Sequence, residues 1–255
     1  MTYREYYNLP EGSNATLRFL SKFDEVGSDF LAPANMGHAY SNEPKRTAVK
    51  IDFDTSQTTH MNHMFAYNSS LKGFDIDGMD TSNVTTMAYM FASCSGLAKF
   101  IGPKWNTSKV TNMENMFDND NALRYFDISN WDTSKVTTFD SMIPGYVEYI
   151  GAINCGGLTA KNKYPLKSYS TCTALTETGG FIDAKMSWDD NYGLAKCPNL
   201  TYESCINILN GLHDFTGNGE TPTSSQGVLK VHANFLTTVG DEITIGTNKG
   251  WSIQV

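Results

Sequence analysis

The stretch WNTSKVTNMENMF at residues 105–117 returns, 26 residues on, as WDTSKVTTFDSMI at 131–143. Earlier forms are FDTSQTTHMNHMF at 53–65 and MDTSNVTTMAYMF at 79–91, so four units open at Phe53, Met79, Trp105 and Trp131 with one constant interval. A fixed period of this length marks a repeat architecture, in which one unit cannot bury its apolar face alone and stacked units can.

The columns of the repeat carry physical meaning. After the bulky opening residue comes a polar triplet, Asp54-Thr55-Ser56, Asp80-Thr81-Ser82, Asn106-Thr107-Ser108 and Asp132-Thr133-Ser134. Such residues cap a helix, because their side-chain oxygens accept from the free N–H groups of a first turn. Apolar residues follow at helical spacing, Val84, Met87, Met90 and Phe91 in one unit and Val110, Met113, Met116 and Phe117 in the next. The tails, AYNSSLKGFDIDG at 66–78, ASCSGLAKFIGPK at 92–104 and DNDNALRYFDISN at 118–130, read as strands: Leu71, Phe74 and Ile76 match Leu123, Phe126 and Ile128. The predicted interior is lined by the Met and Phe columns, where the flexible Met thioether fills irregular gaps.

The period continues beyond the clear units. Cys94-Ser95-Gly96-Leu97 returns as Cys172-Thr173-Ala174-Leu175 and again as Cys197-Pro198-Asn199-Leu200, while the slot at Tyr146-Val147-Glu148-Tyr149 keeps the phase and loses the pattern. Pro144 and Gly145 are expected to bend the chain there. Thr201 caps a predicted helix in TYESCINILNGL with Cys205, Leu209 and Leu212 on one face; GVLKV at 227–231 and the final WSIQV read as strands around a helix-bearing segment.

These readings predict an α/β fold, a leucine-rich-repeat-like solenoid with a short helix and a short strand per coil and parallel strands stacked along one face. Residues 1–50 form an N-terminal cap or anchoring module, with Tyr6, Tyr7, Leu17, Phe19, Leu20 and Phe23 to bury. The solenoid runs over 51–255, with clear repeats at 53–143, degenerate ones at 144–200 and atypical capping repeats at 201–255.

The net charge of −8, with no basic run, argues against nucleic acid and anionic membrane surfaces as partners. No stretch reaches the roughly 18–20 apolar residues of a membrane span. The polar start, MTYREYYNLPEGSNATLRFL, lacks a signal-peptide pattern, so a chain beginning at a natural Met1 is expected to stay off the usual export route. Five cysteines without a CxxC pair fit neither a disulfide scaffold nor a common zinc site.

The units resemble the roughly 26-residue leucine-rich-like surface-protein repeat of bacteria, of the BspA type. That resemblance covers 53–143 strongly and 150–200 loosely, and implies an α/β solenoid used for adhesion and protein contact without catalysis. The C-terminal part, NLTYESCINILNGLHDFTG followed by LKV and IGTNKGWSI, is similar to a pattern of phage and prophage structural proteins of gut bacteria. It departs from that pattern by an insertion, GETPTSSQ. The resemblances imply a non-enzymatic, virion-associated protein of a bacteriophage, a head or tail fibre or decoration component. Its partners are other virion proteins, copies of itself, and a host-surface protein or glycan. The alternatives are a bacterial cell-surface adhesin without its signal peptide, and a glycan-active enzyme on a solenoid.

No catalytic, cofactor or metal residue is nominated, and no cofactor is expected. His60 and His63 form an HxxH that reads as a variable exposed position. The column Asp54, Asp80 and Asp132, with Asn106 as third member, reads as capping rather than a calcium ladder. Cys94, Cys172 and Cys197 read as a buried structural column. Of Trp105, Trp131, Trp188 and Trp251, two open repeat units and are expected in the core rather than on a sugar-binding face.

Overall fold

Stacking begins with hydrogen bonds made one repeat away. In the computed structural model, which describes residues 31–158, 173–185, 187 and 193–255, every strand pairing is parallel. The strands are β1 (Ala48–Lys50), β2 (Gly73–Asp75), β3 (Lys99–Ile101), β4 (Tyr125–Asp127), β5 (Tyr149–Ile150), β6 (Ile153–Asn154), β7 (Glu177–Thr178), β8 (Phe181–Ile182), β9 (Val228–Lys230) and β10 (Ser252–Gln254). They form sheets β1-β2, β3-β4-β5-β7, β6-β8 and β9-β10. In the four-stranded sheet Phe100, Phe126, Ile150 and Thr178 are successive Cα partners, all buried. Tyr149 and Ile150 hold this register even though the chain has just passed Pro144 and Gly145.

The predicted short helices of the clear repeats are absent. Residues 62–67, 88–93 and 114–119 are turns. Alternate N–H groups cross to the next repeat, Met87, Tyr89, Phe91 and Ser93 donating to the carbonyls of Asn112, Glu114, Met116 and Asp118, while Met90 and Ala92 between them close onto the residue three back, at Met87 O and Tyr89 O. Two residues per unit hold a positive φ that ends any helical run, namely His63 and Tyr67, Tyr89 and Ser93, and Asn115 and Asn119. The apolar spacing is therefore right for burial and wrong for helix: it records which side chains reach the interior.

That interior is fully buried and regular. Met61, Met64, Met87, Met90, Met113 and Met116 have no exposed surface. Phe65, Phe91 and Phe117 stack at centroid spacings of 5.2 Å from one repeat to the next. The second residue of each polar triplet lies inside: Thr55, Thr81, Thr107 and Thr133 are buried, and each hydroxyl donates, at 3.0 Å, to a carbonyl of the following repeat. The first residue of each triplet caps a turn. Oδ1 of Asp54, Asp80, Asn106 and Asp132 accepts from the N–H two residues on, at Ser56, Ser82, Ser108 and Ser134, which is an Asx turn.

Pairing reaches further toward the N terminus than the sequence period predicts. Leu31 bridges to Asp54, Asn35 to His60, and β1 lies within the first 50 residues. Residues 1–30, with their aromatic and apolar side chains, lie outside the described residues, as do Cys172 and Trp188.

Toward the C terminus the repeats carry true helices. α1 (Tyr202–Gly211) starts at Thr201, whose hydroxyl accepts from Ser204 N, and buries Cys205, Ile208 and Leu209 against β7, β8 and α2 (Ala233–Val239). Its last carbonyls, with that of Leu212, are capped by Lys249 Nζ, which donates to Leu209, Asn210 and Leu212, the favourable end for a cation. A 3-10 turn at Gly240–Ile243 leads into α3 (Thr244–Asn248).

Candidate functional site

Strand alternation decides which side chains are left for contact. In β3, β4, β5 and β7 the middle column is buried, so its neighbours face outward. One outward column is Lys99, Tyr125, Tyr149 and Glu177, Cα partners in turn. The Tyr125 and Tyr149 rings stack at 4.4 Å and 7°, and Lys99 Nζ sits 4.6 Å from the Tyr125 ring centre. Burial between neighbours, then the charge of Asp127, pushes the Tyr149 hydroxyl up from its ordinary range. Arg124 extends the surface, with Nε 3.8 Å from Glu148 and its guanidinium over Tyr146.

The second outward column pairs Ile101 with Asp127. Ile101 is 54% exposed, unusual for so large an apolar side chain at the centre of a face, and Tyr146 is 53% exposed. Beside Ile101 lies an open groove of about 510 Å³, bordered by Asp77, Lys104, Asp127, Ser129 and Asn130. Its wall is the Gly102-Pro103-Lys104 bulge. Asn130 Nδ2 donates to the carbonyls of Gly102 and Pro103, and the Trp131 indole N–H donates to Pro103 O. Gly102 is needed for this closeness, since a Cβ there would lie 2.8 Å from Trp131 Nε1. Asp127 is aimed by its own turn, with Oδ1 accepting from Ser129 N. The result is a face with stacked rings and an exposed aliphatic side chain, in which the groove beside Ile101 is bordered by the carboxylates of Asp77 and Asp127 and the ammonium of Lys104.

The residues singled out from sequence lie elsewhere. His60 and His63 have different partners: His60 Nδ1 pairs with Thr59 Oγ1, while the His63 ring is stacked between His38 at 4.6 Å and Tyr89 at 4.7 Å. The two histidines of the HxxH thus do not converge. The Asp54 and Asp132 carboxyls are held below their usual range by the N–H and hydroxyl of Ser56 and Ser134. Among the described residues, no group of three or more His, Cys, Asp or Glu is placed to hold a metal ion, and no helix is long and apolar enough to cross a membrane.

Trp105 and Trp131 are buried, stacked at 5.5 Å, and donate their indole N–H groups to Ile76 O and Pro103 O. Trp251 is likewise buried, on His213 O. Cys94 and Cys197 are both buried. In the stack the neighbours of Cys94 one repeat away are Asn68 and Asp120, both without exposed surface. Asn68 Nδ2 donates to Tyr40 O and Phe65 O, and Cys94 Sγ to Phe65 O.

The outward face was missed because Tyr125 and Tyr149 are 24 residues apart rather than 26, and a period search passes over them. Alternation around Phe126 was the available signal.

Parallel ladders at a near-constant interval over a buried Met and Phe interior define a repeat protein, with the outer face of β3, β4, β5 and β7 as its longest ladder among the described residues. Residues 34–154, which include the groove and most of this face, match the family described as "Mycoplasma protein of unknown function, DUF285". No curated protein and no solved structure matches the chain.

Proposed function

We propose that this chain is a non-enzymatic repeat protein, a leucine-rich-repeat-like solenoid that contacts a protein or glycan through the outer face of β3, β4 and β5. The observation that carries the reading is the outward column Lys99, Tyr125 and Tyr149 beside the exposed Ile101. Aromatic and aliphatic side chains at the centre of an ordered, otherwise polar face are what contact surfaces use. The parallel pairing of successive repeats supports the solenoid. The BspA-type resemblance of residues 53–143 supports adhesion. The resemblance of the C-terminal segment to phage structural proteins supports a place in a bacteriophage particle, as a head or tail fibre or decoration component. Its partners there are other virion proteins, copies of itself, and a receptor on the host. Multiple copies turn weak single contacts into firm attachment.

A second reading is a bacterial cell-surface adhesin, which the BspA-type resemblance of residues 53–143 supports. Mass spectrometry of purified phage particles beside protease-shaved cell-surface peptides separates the two. The peptide VTNMENMFDNDNALR at stoichiometric levels in particles supports the virion reading; its presence only on cells overturns it. For the site itself, Tyr149→Ala and Ile101→Asp should lower binding to host cells at least tenfold while leaving the melting temperature within a few degrees. Unchanged binding by both variants would move the contact face elsewhere. Turnover of a host glycan that stops with Asp77→Asn or Asp127→Asn would instead establish the glycan-active enzyme.

A further inference from the structure

The second half of the chain contains a buried histidine held between two carboxylates. His213 follows α1 and is 8% exposed. Its Nδ1 lies 2.5 Å from Asp183 Oδ1 and its Nε2 lies 3.0 Å from Glu220 Oε2. Asp183 follows β8 at a φ of 53°, packed against Gly156, where any Cβ would meet its Oδ2. Glu220 belongs to the loop that carries the insertion GETPTSSQ. A third group competes for Nε2, because the Asn218 amide nitrogen is 3.4 Å away. One imidazole therefore joins the turn after β8, the end of α1 and the inserted loop.

The chemistry of the contacts assigns protons. A ring nitrogen at hydrogen-bond distance from a carboxylate carries a hydrogen, and only the imidazolium has one on each nitrogen. The neutral ring keeps one N–H. The closer contact, to Asp183, retains it, and the bare Nε2 then faces Glu220 with a lone pair against a negative charge. Asn218 supplies the donor that a bare nitrogen needs.

We propose that His213 is a proton-operated latch on the inserted loop: charged, it binds Asp183 and Glu220 together; neutral, it keeps Asp183, releases Glu220 and accepts from the Asn218 amide. The two states exchange one partner for another on the same ring nitrogen, so a single proton biases a two-state element. Among the described residues, the other charged groups on these segments include Lys185, Asp214 and Lys249. Asp214 is tied to Gly217 N through Oδ1, and the Lys249 ammonium is committed to three carbonyls. On its remaining sides the ring meets the Phe215 edge, while the carbonyl of His213 is bonded to the Trp251 indole. Release frees the Glu220 side chain and leaves the loop held by its backbone bonds, Glu220 N to Phe215 O and Gly219 N to Thr216 O.

The test is nitrogen and carbon NMR of the full chain across about pH 5 to about pH 8, reading the His213 ring and the Asn218 side-chain amide by nitrogen and the Glu220 carboxyl by carbon. Two protonated ring nitrogens at the acid end are expected, with the Asn218 and Glu220 signals moving at the same midpoint as the ring. In Glu220→Gln, whose amide serves either form of the ring, the Asn218 signal should no longer follow the ring. A ring that holds a single proton throughout, or an Asn218 amide that ignores it in the unmodified chain, overturns the latch. Asn218→Ala gives a second reading: ring titration should persist while the Glu220 response loses its paired signal, and an unchanged Glu220 midpoint with no ring titration contradicts the mechanism.

Discussion

Replacing Asp120 by Asn should make the protein more stable. Asp120 sits in the column of Asn68 and Cys94 with no exposed surface, and neither carboxyl oxygen has a hydrogen-bond partner. Burial pushes its carboxyl from the ordinary 3.8 up to about 9; the Cys94 N–H, itself bonded to Phe91 O, offsets only part of that, and Asp118 adds to it. The acid is thus neutral at physiological pH in the folded chain and ionised in the unfolded one. Between the two titrations the unfolded state binds fewer protons, so stability falls as pH rises and levels off above about 9. Each pH unit in that window costs about 1.4 kcal/mol, which accumulates to an upper bound of about 4 kcal/mol by about pH 7. Asn carries no such cost. Position 120 lies two periods on from Asn68, whose amide donates to Tyr40 O and Phe65 O, so by register the introduced amide has Phe91 O and Phe117 O as acceptors. Denaturant unfolding at about pH 5 and about pH 8 measures both quantities. The unmodified chain should lose several kcal/mol between them, and the Asn variant should be nearly flat and more stable at the higher pH. A variant that is less stable at both pH values, or a pH slope unchanged by the substitution, would refute the assignment of a neutral buried acid.

The remaining predictions concern packing and accessibility. Met116→Asp should unfold several repeats, because a charge would enter a fully buried apolar interior, at a cost above about 3 kcal/mol; an unchanged thermal melt would contradict the inward assignment. Lys109→Ala is its control: the ammonium only donates to Asn83 Oδ1 at the surface, so the shift should stay within about 0.5 kcal/mol. Thr107→Val removes the hydroxyl that donates to Asp132 O and should cost about 1–2 kcal/mol in denaturant unfolding, since the carbonyl stays buried without that partner. Burial pushes the Cys94 and Cys155 thiols up, and Cys205 up to about 11, so native protein at about pH 8 should react with a thiol reagent far more slowly at these sites than denatured protein.

Much of the arrangement is legible in the residues because stacking repeats its demands at each period. The Met and Phe columns, the Thr of the triplet and the opening Trp residues recur at one phase, and the side chains at those positions are the buried ones. The C-terminal helix was equally readable, since Thr201, Cys205 and Leu209 supply a cap and an apolar stripe of ordinary helical form. The turns at 88–93 were not, because a 3.5-residue apolar spacing looks the same whether N–H groups close within the segment or cross to its neighbour.

What the chain alone determined was a period, an interior and the polar caps between them, all local or strictly repeated features. Only the tertiary structure decided where the hydrogen bonds of the turns go, which outward side chains meet across β3, β4 and β5, and that Asp183, His213 and Glu220 share one ring. The physical reason is separation along the chain. Tyr125 and Tyr149 lie off the period by two residues, and the three latch residues follow no period at all. Their meeting depends on how each repeat is displaced against the next, and no residue type by itself encodes that displacement.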